Sequence, residues 1–96
     1  MTVQRFDVGT RLSEMAVHHG VCYLAGQVCW KILDHWKGTR LLMCQIFLAD
    51  LNDFAGMNEV WEAWLPAGQA PPRATVLAQL AKPQWKVEMV VAAAVQ

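Results

Sequence analysis

Pro71-Pro72-Arg73-Ala74-Thr75-Val76-Leu77-Ala78-Gln79-Leu80, followed after Ala81-Lys82-Pro83-Gln84-Trp85 by Lys86-Val87-Glu88-Met89-Val90-Val91, is the stretch on which the fold turns. It reads as two successive β-strands in a largely apolar segment, one opening with an arginine and the other carrying a carboxylate near its start. A charge in an apolar strand is costly to desolvate, so each needs a partner, a path to solvent or a ligand. Arg73 and Glu88 are therefore the first candidates for chemistry. Periodicity alone also allows Glu88 a plainer place, as a strand-end carboxylate in solvent or paired with Lys86.

Working outward, Lys82-Pro83 is the turn between these strands, and the second strand extends from Val87 to Val95. Upstream, Asp50 and Asn52-Asp53 are helix-start residues whose side-chain oxygens can accept the N–H groups of a first turn. Phe54, Met57, Val60, Trp61 and Trp64 then recur at three- and four-residue spacing, so one face of that helix is apolar, and Pro66 and Gly68 end it. The helix is about 16 Å long, enough to lie across a small sheet, and its tryptophans read as core packing. Leu41 to Leu48 is a continuous apolar run, which predicts a strand covered on both faces. Earlier still, Thr2 to Val8, Glu14 to His18 and Val21 to Gly26 read as strands, the last two joined as a hairpin through His19-Gly20. Between Val28 and Arg40, Trp30, Leu33 and Trp36 suit one side of a short helix that Gly38 stops. The predicted order is β-β-β-(short helix or loop)-β-α-β-β, a mixed α+β arrangement.

Ninety-six residues make one domain, residues 1–96, and a chain of this size buries roughly 60–65% of the surface its unfolded form exposes. At 55% hydrophobic and 17% charged residues, so small and apolar a chain is expected to hide part of its surface in an oligomer. The formal charge is zero and the eight basic residues are dispersed, so nucleic acid is not an expected partner. The longest uncharged apolar run, Met89 to Val95, is too short to span a bilayer, and the N-terminus has no basic region leading into an apolar core; no membrane role and a cytosolic location are expected. Three cysteines, Cys22, Cys29 and Cys44, without a Cys-x-x-Cys pair point to buried thiols in a reducing compartment. His18-His19 near Cys22 lacks the converging third and fourth ligands of a metal site, and adjacent strand residues point to opposite faces. No P-loop, dinucleotide fingerprint, nucleophile elbow or zinc ribbon occurs.

These residues resemble the YjgF/RidA family, small cytosolic proteins also labelled endoribonuclease L-PSP. Tyr23-Leu24-Ala25-Gly26-Gln27-Val28 is like the family's aromatic-x-small-Gly-Gln strand. Ile46-Phe47-Leu48-Ala49-Asp50, Asp53-Phe54-Ala55-Gly56-Met57-Asn58 and Trp61-Glu62-Ala63-Trp64 lead into Ala70-Pro71-Pro72-Arg73-Ala74-Thr75-Val76, and Lys86-Val87-Glu88 matches the final strand. The resemblance implies a chorismate-mutase-like α+β fold, a mixed sheet with a helix packed on one face, assembled as a homotrimer or higher homo-oligomer with clefts between subunits. It implies hydrolysis of reactive enamines and imines, such as 2-aminoacrylate released by pyridoxal-phosphate enzymes, to 2-oxo acids and ammonia. Carried over, Arg73 would grip the carboxylate of a small imino or 2-oxo acid, Glu88 would orient the attacking water, and main-chain groups at Thr75 would contact the substrate nitrogen region. No metal or organic cofactor is expected.

The sequence departs from the family pattern in having Thr75 where a cysteine is usual, Leu12 near the place of a tyrosine, and a segment after Val28 shorter by roughly twenty residues, about four to six helical turns. The usual long covering helix is thus missing or shortened, and Trp30, Ile32, Leu33 and Trp36, or another subunit, are expected to cover that part of the sheet. These departures keep a second reading open: a non-catalytic module of the same fold that binds a small carboxylate or another protein, or a degraded family member without a task. A ribonuclease reading has neither a basic stripe nor a histidine placed beside Arg73.

Overall fold

The computed structural model describes residues 2–27 and 40–95. Six strands make one sheet: β1 (Gln4–Val8), β2 (Ser13–His18), β3 (Val21–Gln27), β4 (Leu41–Leu48), β5 (Arg73–Leu77) and β6 (Val87–Ala94), with helix α1 (Phe54–Trp64) between β4 and β5. The spatial order is β1-β2-β3-β6-β4-β5. Neighbours are antiparallel except β4 and β5, which run parallel because α1 carries the chain back to the starting end of the sheet. The last strand, β6, inserts between β3 and β4 and so becomes central. The element order expected from the sequence holds among the described residues; the segment of Trp30, Ile32, Leu33 and Trp36 lies outside them. No helix among the described residues is long and apolar enough to cross a membrane.

Local chemistry accounts for the boundaries. His19 (φ 51°) and Gly20 (φ 76°) both take left-handed conformations, the requirement of a two-residue hairpin turn whose twist matches its strands. His19 thus leaves the strand alternation, and the two histidine rings meet edge to face with centroids 4.0 Å apart instead of pointing to opposite faces. Asp50 accepts from Asn52 N–H at 2.9 Å and starts a 3-10 turn, Leu51–Asp53, from which α1 continues. Leu65, before Pro66, is already extended (ψ 141°), since the proline ring disfavours a helical residue ahead of it. β5 ends at Leu77, three residues short of the expected Leu80, and the Lys82-Pro83 turn is closed by Trp85 N–H donating to Lys82 C=O.

Burial alternates along the inner strands and defines two unlike faces. Cys22 and Leu24 of β3, Leu41, Cys44, Ile46 and Leu48 of β4, and Met89, Val91 and Ala93 of β6 form the core with Met57 and Trp61 of α1. Each large aliphatic or methionine side chain among them removes apolar area from water and stabilises the fold by about 1.5–3 kcal/mol. The opposite face carries no helix of the described chain: Tyr23 is 53% exposed, Met43 49% and Val90 39%. Among the described residues only one side of the sheet has a packing layer, so they do not supply the second cover expected over Leu41–Leu48. Likewise α1 buries a narrow stripe, and Phe54 and Val60 of its apolar arc stay exposed.

Candidate functional site

Arg73 opens β5 directly after Pro71-Pro72, and the parallel register sets Cys44 opposite Arg73, Ile46 opposite Thr75 and Leu48 opposite Leu77. Partners in a ladder share a face, so Arg73 and Thr75 lie on the helix side. There the Arg73 guanidinium sits over the indole of Trp61, its Cζ 5.2 Å from the ring centroid. The two side chains, with Asn58, Glu62 and Leu65, line a cleft of about 390 Å³ between the C-terminal half of α1 and the 66–70 connector. Thr75 Oγ1 and Asn58 Oδ1 are buried with no hydrogen-bond partner.

The main chain of β5 adds a second surface. Cys44 N–H donates to Pro72 C=O and Ala78 N–H to Leu48 C=O, both at 3.0 Å. With the two-residue repeat of a strand, the even-numbered residues of β5 face β4, and Thr75 turns its N–H and C=O outward. Since β5 is an edge strand, those groups point away from the sheet and can meet a ligand or another chain. On the far side of β4, Gln45 Nε2 donates to Ala74 C=O at 3.2 Å and ties the edge strand to its neighbour.

Glu88 stands elsewhere. It is the second residue of β6, opposite Phe47, and therefore on the open face. The β3–β6 register shifts between Leu24 and Gln27, a bulge that brings Gly26 under the Glu88 side chain. A Cβ on Gly26 would overlap the Glu88 Oε2 and lie 2.8 Å from its carboxyl carbon. Glu88 is thus half-buried, with its carboxylate against a glycine. Arg73 and Thr75 come together; Glu88 is two strands away on the opposite face. Within one chain the arginine and the carboxylate do not meet.

Two residues near the site escaped sequence reasoning. Trp61, read as core packing, is core and also the ring beneath Arg73; its helical spacing from Asn58 was visible, its pairing with a distant strand was not. Cys44 is fully buried next to Arg73, and burial pushes its thiol up to about 11, with the Arg73 guanidinium pulling the other way. The unfolded thiol ionises near 9.0, whereas folding keeps it protonated. Its contribution is therefore intact below pH 9 and declines as pH rises toward 11, by about 2–3 kcal/mol in all. Urea titrations from pH 8 to 11 should show this extra loss in the native chain and not in Cys44→Ala; equal pH profiles would refute it.

Comparison with known proteins agrees with this geometry. The family described as Endoribonuclease L-PSP matches residues 34–95. A RutC family protein of Haemophilus ducreyi is 36% identical, the match covering 97% of each chain. That alignment runs over 113 positions, so about twenty positions of the relative have no counterpart in this 96-residue chain. Among solved structures, an uncharacterized protein from Pseudomonas aeruginosa superposes with a TM-score of 0.88 at 34% identity over 99% of this chain and 100% of that one. NMB1025 of Neisseria meningitidis, a member of the YjgF protein family, does so with a TM-score of 0.86 at 32% identity over 100% and 97%. With the sheet order, the single described helix and the full-length likeness in agreement, the chain belongs to the endoribonuclease L-PSP (YjgF/RutC) family.

Proposed function

We propose that this protein hydrolyses reactive enamine and imine intermediates of the 2-aminoacrylate type to 2-oxo acids and ammonia, in a cleft that two copies of the chain build together. The observation that carries this reading is the placement of Glu88: its carboxylate fills the space Gly26 leaves open, on a face whose apolar residues Tyr23, Met43 and Val90 are left exposed by the described residues. A second copy laid on that face, edge strand first, would bring its Arg73 and the outward main chain of Thr75 toward Glu88. A homotrimer, the expected assembly, supplies one such meeting per interface.

The division of labour follows from the groups. The guanidinium fork matches a small carboxylate bidentately, a charge-assisted pair worth roughly 1.5–3 kcal/mol. The enamine first tautomerises to its imine. Glu88 then takes a proton from water as the water oxygen bonds to the imine carbon and passes it to the nitrogen, giving the carbinolamine; the carbinolamine hydroxyl proton next moves through Glu88 to the amine, and ammonia leaves as the C–N bond breaks and the carbonyl forms. Thr75 C=O accepts from the substrate N–H and aligns the imine for attack. No electron leaves or enters, so the sum is imine plus water to 2-oxo acid plus ammonia. A cytosolic setting suits this role, since pyridoxal-phosphate enzymes release such intermediates there. A formal charge of zero gives no comparable support for a polynucleotide substrate.

Imino acids generated in place by an amino-acid oxidase provide the assay. The native protein is expected to speed ammonia release, and Arg73→Ala to need about 10- to 150-fold more substrate for the same rate. Identical time courses with native protein, Arg73→Ala and no protein would end the enzymatic reading. Melting that rises with 2-oxo acids but without turnover would replace it by the carboxylate-binding one.

A further inference from the structure

An arginine meant to receive a carboxylate has two conflicting needs. Its long side chain must be held still, because ordering it on binding costs free energy, yet a carboxylate that held it would occupy the donors the ligand requires. The contact the structure gives Arg73 avoids this conflict. Its guanidinium lies over the face of Trp61, which attracts a cation through the ring quadrupole and takes none of the five N–H donors. The ring is itself immobile: Trp61 is 5% exposed, belongs to the core, and lies tilted against Trp64 with centroids 5.9 Å apart. Arg73 is anchored from the other end as the first residue of β5, in register with buried Cys44.

We infer that Trp61 is a positioning residue, a π-face seat that holds the Arg73 guanidinium flat with its forked edge turned to the cleft, and so favours planar carboxylate ligands. The inference rests on the deaminase reading for its ligand class, but the seat is a property of the free protein. Trp61 touches no reacting atom in this account; it acts through Arg73. The consequence is a role in binding and not in the chemical step. Losing the seat should weaken carboxylate binding about 5- to 30-fold, the range a partly desolvated cation–π contact can supply, while kcat stays unchanged.

The experiment compares the native protein with Trp61→Leu, which keeps an apolar core side chain without a π face, and Trp61→Phe, which keeps a weaker one. Proton NMR of the Arg73 δ-methylene reads the seat directly, and calorimetry with pyruvate reads the binding. Expected are ring-current-shifted Arg73 signals in the native protein, reduced in Trp61→Phe and lost in Trp61→Leu, with pyruvate affinity falling in the same order. Unshifted Arg73 signals in the native protein, or equal pyruvate affinity in all three, would overturn the inference. If Trp61→Leu does not fold, Trp61→Phe alone carries the comparison, with an intermediate effect expected in both readouts and no effect in either counting against the seat. A native protein that does not bind pyruvate would instead end the deaminase reading, and the NMR signature would still decide whether Trp61 seats Arg73.

Discussion

Co-expressing Arg73→Ala and Glu88→Gln in equal amounts, purifying all the oligomers together and assaying below the KM should restore about a quarter of the native imine-hydrolysing rate per site, although each variant alone retains about a tenth of it or less. The reason is the arrangement of the sheet. Arg73 lies on the helix face of edge strand β5 and Glu88 on the open face of central strand β6, so the proposed site would take its arginine from one chain and its carboxylate from the next. With random assembly in a ring, an interface receives an intact arginine about half the time and an intact glutamate about half the time, which multiplies to roughly one in four. Glu88→Gln by itself should lose about 10²–10⁴-fold in kcat, the range of general-base catalysis, so a recovery to a quarter is a large signal. Mixed oligomers as inactive as their parents would exclude a shared site.

The second large effect is expected from a substitution that removes no functional group. Gly26 is not in a left-handed conformation, so alanine can adopt its backbone geometry without strain. The added methyl instead falls on the Glu88 carboxylate. Gly26→Ala should therefore fold, because the obstructing group is the end of a flexible side chain, and yet lose activity nearly as completely as Glu88→Gln. The double variant Gly26→Ala/Glu88→Ala provides the check, since two changes acting through one contact are not additive. Its activity should equal that of Glu88→Ala alone, and its melting temperature should exceed that of Gly26→Ala once the overlap is gone. Full activity in Gly26→Ala would mean that Glu88 works from another position, and the placement of the carboxylate would have to be abandoned.

The open face links these expectations to assembly. Tyr23, Met43, Val90 and Val76 present apolar surface that the described chain leaves to water, and the proposed meeting of Arg73 with Glu88 requires a neighbour on that same side. On the proposed reading, oligomerisation is part of building the site. Dilution below the assembly constant should abolish activity in step with dissociation.

Much of this protein was legible in its letters because the governing signals are local. Strand alternation, the Asp50 cap, the stop before Pro66 and the His19-Gly20 turn each depend on a few neighbouring residues, and the segments around Arg73 and Glu88 carry the family likeness in consecutive positions. What the sequence could not disclose is every relation that joins distant segments. The insertion of β6 between β3 and β4, the parallel register that stacks Arg73 with Cys44 and Trp61, and the bulge that lays Glu88 over Gly26 are set by cross-strand pairing, where a one-residue slip sends each side chain to the other face. Sequence by itself determined which residues have the chemistry. Only the tertiary structure decided that the two chief ones stand back to back across a sheet, because facing is a property of register and register is decided by the packing of the whole core.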